Sequence, residues 1–249
     1  MAPRRGDAGA ARHLSGLLAL FDLDGTLFLT HDPLSGRALR TTLDEVFEIE
    51  VAENAPDNVE HRGLTARRIA RNVLRAAGLR DDEIDGPLQS WCQRYAERYL
   101  ELLAASDTDD WEARPGAAEG LSRLETAGVR LALVTGNPEP VARARLERLG
   151  LGRFFPTSQG AFGCEAEERT ILLELARCRA GNWSAERTTE IGDTHEDVAT
   201  AKAVGMHSIA VASARGDLAE LAGADALVYD MDGIVQALLR LAALSMRGA

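Results

Sequence analysis

Five short apolar runs, each broken off by turn-forming residues, most constrain what this chain can fold into. They lie at residues 17–21, 130–135, 188–191, 207–211 and, more weakly, 226–229. Their near-continuous hydrophobicity suits strands covered on both faces, as in a parallel sheet. Helical patterns alternate with them. Leu121, Leu124 and Glu125 precede the second run, and Val141, Leu146 and Leu149 follow it. Ile171, Leu172 and Leu175 precede the third, with Val198, Ala201 and Lys202 behind it. This alternation predicts a doubly wound α/β domain.

Between Thr30 and Asp110 the pattern changes. Residues 65–77 place Ile69, Val73 and Ala77 on one helical face, and 88–103 do the same with Leu88, Trp91, Cys92, Tyr95, Tyr99, Leu102 and Leu103. A third helix is expected near 37–47, and no convincing strand occurs. The aromatic stripe reads as core, and Asp81-Asp82-Glu83 and 107–110 as solvated boundaries or caps. A helical module thus interrupts the α/β domain after its first strand. Residues 1–13, rich in Ala, Gly and Arg, read as a loose tail. The apolar run behind them is too short for a signal peptide and leads straight into Asp22.

A net charge of −11 argues against a general binder of nucleic acid or anionic membrane. No stretch approaches the length of a membrane span. Cys92, Cys164 and Cys178 are odd in number and far apart, so a disulfide framework is not expected and a reducing, cytoplasmic setting fits. Of 28 basic residues, Lys202 is the single lysine.

The first run opens into Asp22-Leu23-Asp24-Gly25-Thr26. Two carboxylates at the exit of a buried strand are costly unless a cation or a reaction uses them. Alone, they would read as an acidic turn, but two further motifs also end apolar runs. Val134-Thr135-Gly136-Asn137-Pro138 gathers a hydroxyl, free backbone N–H groups and a helix N-terminus, with Asn137 as N-cap and Pro138 first in the helix. That set suits a phosphate, though capping alone explains Asn137 and Pro138 equally well. Gly192-Asp193-Thr194-His195-Glu196-Asp197 supplies hard oxygen donors of the kind Mg²⁺ takes. Thr194 and Asp197 also have capping-box spacing. Asp193 has no such structural use.

In this order, Asp22-Leu23-Asp24-Gly25-Thr26, Val134-Thr135-Gly136-Asn137 and Gly192-Asp193-Thr194 with Asp197 resemble the haloacid dehalogenase-like (HAD) superfamily. The phosphoglycolate phosphatase-like branch is nearest, and the likeness runs from about Leu17 to the C-terminus. The resemblance implies a Rossmann-like, doubly wound parallel sheet core at 14–30 and 110–249. It also implies an inserted α-helical cap domain of the C1 type at 31–109, closing over the site. By the same resemblance the chain is a Mg²⁺-dependent hydrolase of phosphoric monoesters. Asp22 would attack phosphorus to give an aspartyl-phosphate, and Asp24 would protonate the leaving alcohol and then activate water. The implied metal ligands are the carboxylates of Asp22 and Asp193 and the backbone oxygen of Asp24, with Asp197 as a further ligand or support. Thr135 and the amides of Gly136 and Asn137 would hold the phosphoryl oxygens.

Such a site also needs a cation between the second and third motifs. Lys202 comes too late, so an arginine is required. Arg169, at a helix start behind an acidic run, is the choice, with Arg153, Arg177 and Arg179 as rivals; an arginine there can bridge phosphate and Asp22 in bidentate fashion. His61-Arg62-Gly63-Leu64-Thr65 is similar to the cap loop of this architecture. Arg62 is then expected to read a substrate anion, and Thr65 to touch substrate or, with more weight, to cap the helix at Ala66. His31 reads as a solvated loop residue near the pocket. His195 is not expected to bind Mg²⁺, which prefers oxygen, and His13 and His207 carry no signal. The expected partner is a small phosphorylated metabolite, and nothing requires more than a monomer, a dimer remaining open. A sugar phosphomutase would share every core motif. A dehalogenase fits Asp24 less well, and a non-catalytic regulatory protein of the same fold is opposed by the intact acids.

Overall fold

The computed structural model describes residues 16–52, 58–212 and 218–245. The tail expected at 1–13, with His13, lies outside them. The strands are β1 (Leu18–Phe21), β2 (Arg130–Thr135), β3 (Ala161–Phe162), β4 (Thr188–Gly192), β5 (His207–Val211) and β6 (Ala226–Val228). The helices are α1 (Pro33–Phe47), α2 (Ala66–Ala76), α3 (Asp81–Asp85), α4 (Leu88–Ala104) and α5 (Ala117–Thr126), then α6 (Glu139–Arg148), α7 (Arg169–Arg179), α8 (His195–Ala203) and α9 (Met231–Ser245).

Among the described residues the strands form one parallel sheet in the order β3-β2-β1-β4-β5-β6. Central β1 sets Leu20 opposite Ala132 of β2 and Glu190 of β4. Alternate side chains serve opposite faces. Leu18 and Leu20 pack with Ala132, Val134, Leu172 and Leu173, while Ala19 and Phe21 pack with Leu121, Leu124, Ile234 and Leu238. Both faces being covered, the strands read as unbroken apolar runs. The chain order reverses about β1, so the carboxyl ends of β1, β2 and β4 border the crevice where such sheets bind ligands.

Helices α1–α4 bury a separate cluster that includes Leu43, Val73, Ile84, Trp91 and Tyr99, and Val141 of α6 reaches into it from the sheet side. Trp91 and Tyr95 stack with centroids 5.2 Å apart, so the aromatic stripe is core as expected. The chain enters and leaves this layer side by side: Leu29 N donates to Glu112 O at 2.9 Å, and Glu112 N donates to Thr30 Oγ1 at 2.7 Å.

One local expectation changes, and two points are added. Helix α1 begins at Pro33, ahead of the expected 37, because the Asp32 carboxylate caps Leu34 N at 2.9 Å and proline presets the first turn. Asp81-Asp82-Glu83 form the first turn of a short helix, where Glu83 Oε2 accepts from Arg80 N at 2.9 Å, in keeping with the capping alternative. Strand β3 has two residues, too short to show any periodicity.

The cysteine reading is corrected. Cys92 on α4 and Cys164, in the turn after β3, form a disulfide with Cα atoms 5.9 Å apart across 72 positions of sequence. Spacing carried no sign of it because the pair meets only where the helical layer lies on the sheet domain. Cys178 alone is a free thiol. Cytoplasmic residence is therefore no longer supported by unpaired cysteines, since disulfides persist in oxidising compartments. Among the described residues no helix is long and apolar enough to cross a membrane.

Candidate active site

Strand β1 hands the chain to Asp22, whose N–H donates to Ile191 O at 2.9 Å and so is pinned to the end of β4. There β4 delivers Asp193. Carboxylate oxygens of Asp22, Asp193 and Asp197, all buried, lie within 4.8 Å of one another. Gly25 permits this approach: its φ is +76°, and a Cβ there would stand 2.2 Å from Asp193 Oδ2. Burial pushes the Asp22 carboxyl well above the usual carboxylate range, against the pull of Arg169 and with help from Asp197, Asp24 and Asp193. A cluster of hard, buried oxygens with so much like charge fits a divalent cation such as Mg²⁺, which would reverse that push.

Arg169, the first residue of α7, is 4% exposed. Its Nη2 lies 3.3 Å from Asp22 Oδ1 and 3.2 Å from Glu190 Oε1, and it pairs with Asp197 as well. Burial works against its charge, but Asp197, Asp22 and Glu190 outweigh burial and keep it protonated. The rival arginines are engaged elsewhere: Arg177 with Glu174, Arg179 with Glu165, and Arg153 over the Phe154 ring. Asp197 also closes the capping box of α8, its Oδ2 accepting from Thr194 N at 2.8 Å and Oγ1 at 2.6 Å. One carboxylate thus caps a helix and holds Arg169.

At the end of β2, Thr135 Oγ1 accepts from Asn137 N at 3.3 Å and Nδ2 at 3.0 Å. Asn137 is not the helix cap. Pro138 holds the N-cap position and α6 begins at Glu139, because a second proline, Pro140, presets the first turn one residue later. The Asn137 amide instead donates to Asp24. Gly136 receives the loop of the helical layer directly. Ala66 N donates to Gly136 O at 2.8 Å, and a Cβ on Gly136 would lie 2.2 Å from Leu64 O.

A cavity of about 330 Å³ opens between the two layers, lined among others by Asp22, Asp24, Arg62, Tyr95, Asn137 and Arg169. Arg62 Nη2 donates to Asp193 O at 3.5 Å. Thr65 is outside that lining. Its hydroxyl accepts from Arg68 N at 3.2 Å and donates to Glu167 O at 3.0 Å, which is the capping role. His31 is exposed and lines the cavity, whereas His195 is exposed at the start of α8 and does not.

Residues 18–205 match the haloacid dehalogenase-like hydrolase family. The chain is a haloacid dehalogenase-like hydrolase. It is 30% identical to the phosphoglycolate phosphatase of Chromobacterium violaceum over 84% of this chain and 90% of that one. The phosphoglycolate phosphatase of Caulobacter vibrioides is 29% identical over 92% of this chain and 93% of its own. Among solved structures, CbbY from Rhodobacter sphaeroides in complex with phosphate shares the fold with a TM-score of 0.63 at 23% identity. That match covers 86% of this chain and 94% of the other.

Three residues of the hydrolase site escaped the sequence. Glu190, 1% exposed, is pushed above the usual carboxylate range by burial against the pull of Arg169. It did carry a signal, as the single charge inside an otherwise strand-like run. Arg114 donates to Gly25 O and Thr26 O at 2.6 Å each and to Tyr229 O at 3.3 Å, bracing the turn after Asp24. Arg145 holds Asp24 from the other side, with Nη1 2.8 Å from Oδ1. Neither arginine stands out among the many of this chain.

Proposed function

We propose that this hydrolase is a Mg²⁺-dependent phosphatase that cleaves a small phosphomonoester through an aspartyl-phosphate on Asp22. The observation that carries the reading is the meeting of buried Asp22, Asp193 and Asp197 with Arg169 at the carboxyl end of the sheet. A dianionic phosphate is repelled by a carboxylate nucleophile unless cations stand beside both. Asp22, Asp193 and the backbone oxygen of Asp24, with Asp197 as support, would hold the metal, which when bound supplies charge neutralisation at the phosphoryl group.

The chain's own groups do the rest. Arg169 orients Asp22 and meets the phosphoryl oxygens. Thr135 and the amides of Gly136 and Asn137 take the remaining oxygens. Asp24 gives its proton to the leaving alcohol and takes one from the water that hydrolyses the intermediate. Helices α1–α4, within 31–109, act as a cap that seals the cavity from bulk water. Arg62, on the cap loop, faces the substrate's second polar group.

The names of the relatives make 2-phosphoglycolate the first ester to assay. The test is phosphate release from a panel of small phosphomonoesters, with and without Mg²⁺, in wild type and Asp22→Asn. Metal-dependent release that vanishes in Asp22→Asn supports the reading. Release that persists in that variant removes Asp22 as nucleophile.

A further inference from the structure

We propose that Arg145 is the positioning residue that aligns Asp24, and that it does so only while the helical layer is seated on the sheet domain. The inference rests on Asp24 being the general acid. Arg145 projects from α6 on the sheet side and is 2% exposed. A guanidinium has five N–H donors in a rigid plane, and here they divide between the two layers. Toward the sheet, Nη1 donates to Asp24 Oδ1 at 2.8 Å and Asn137 Oδ1 at 3.1 Å. Toward the helices, Nη2 donates to Asp32 Oδ2 at 2.8 Å and Ser35 Oγ at 2.5 Å, and Nε donates to Tyr99 Oη at 3.0 Å. Tyr99 in turn donates to Asp32 Oδ2 at 2.7 Å, and the rings of Phe28 and Tyr99 flank the guanidinium carbon at 5.2 and 5.3 Å.

With its donors committed, Arg145 holds none in reserve for a substrate anion, although it borders the cavity. What it offers is orientation. The Asp24 side chain is 48% exposed, and its carboxylate is gripped by Arg145 and Asn137. Lifting the helical layer would strip Nε and Nη2 of Tyr99, Ser35 and Asp32, and the plane that aims Asp24 would be released. Acid delivery is thereby tied to closure.

In the step concerned, a bond forms from an Asp22 oxygen to phosphorus as the bond from phosphorus to the leaving oxygen breaks. The Asp24 proton passes to that oxygen. An alkoxide leaving group needs the proton, whereas 4-nitrophenolate departs as a stable anion without it. Because kcat/KM reports events up to loss of the leaving group, the ratio of kcat/KM for an alkyl phosphate to that for 4-nitrophenyl phosphate isolates acid delivery.

The experiment measures this ratio, at saturating Mg²⁺, in wild type, Arg145→Met, Tyr99→Phe and Asp24→Asn. Arg145→Met is expected to lower the ratio at least about tenfold, a part of the roughly 10²–10⁴-fold that a general acid contributes. Tyr99→Phe, which reaches neither Asp24 nor the cavity, is expected to lower it by less but in the same direction. Equal loss on both esters in Arg145→Met, or an unchanged ratio in Tyr99→Phe, overturns the proposal. Should Arg145→Met fail to fold, Tyr99→Phe with Ser35→Ala decides on the same criterion. Asp24→Asn separates the two readings. An unchanged ratio there removes Asp24 as the acid, whereas a lowered ratio there with none in the other variants removes only the role of Arg145.

Discussion

Arg169 Nη2 stands 3.3 Å from Asp22 Oδ1, inside a ring completed by Asp197 and Glu190. The guanidinium is fixed in place by three carboxylates before any substrate arrives. A cation so placed is already paired with the proposed nucleophile and needs little reorganisation to meet a phosphate.

Arg169→Ala is expected to lower kcat at least about a hundredfold, the loss typical of removing one preorganised charge from a transition state. Arg169→Lys should recover part of it, since lysine keeps the charge but not the fork. Arg177→Ala should stay near wild type because Arg177, in the last turn of α7, pairs with Glu174. Steady-state kinetics on the three variants checks this, and a damaged Arg177→Ala beside a healthy Arg169→Ala would sink it.

Asp22→Asn should abolish turnover and stabilise the metal-free protein. Burial raises the Asp22 carboxyl, so its favourable contribution is complete below the ordinary aspartate range, about pH 4, and is lost as pH rises through the raised value. The neutral amide escapes that loss. Thermal melts in chelator should show the Asp22→Asn variant ahead of wild type at about pH 7, with the lead shrinking as pH falls toward about 4.5. A lead that grows on acidification would contradict the sign.

Asp193→Asn is expected to raise the Mg²⁺ concentration for half-maximal activity by at least about tenfold. Direct calorimetric titration of metal into the variant checks the same shift without turnover. An unaltered isotherm would show that Asp193 does not hold the ion.

The Cys92–Cys164 bond predicts one reactive thiol, Cys178, in unreduced denatured protein. Cys92→Ser should cost about 2–4 kcal/mol of stability, the usual worth of a bridge closing a long loop. Denaturant titrations with and without reductant measure it. Three reactive thiols before reduction would refute the bridge.

Much of the architecture was legible because a doubly covered sheet writes itself as apolar runs, and β2 and β5 coincide with theirs. The acids at the ends of β1 and β4, Asp22 and Asp193, were legible for the same reason: they interrupt the apolar runs while staying buried. What escaped has a common cause. β3 is too short for periodicity, the disulfide joins elements that meet only in the folded chain, and the partners of Arg145 are scattered from Asp24 to Asn137. Asn137 was misplaced as a cap because Pro138 satisfied the local rule, while the second proline at 140 shifted the helix start. Local preference identified the acids and Arg169, and long-range packing decided which atoms they touch and brought in Glu190, Arg114 and Arg145.

Thr30 accepts from Glu112 N and donates to Asp110 O, so the chain departs for the helical layer and returns from it through neighbouring residues. Because both crossings lie at one seam, a different helical unit can be joined there without changing the strand order. The choice of ester can change with that unit, but on the role proposed for Arg145 the newcomer must also replace Asp32, Ser35 and Tyr99 as its partners. A graft at this junction is the natural route to giving the same catalytic floor a new clientele.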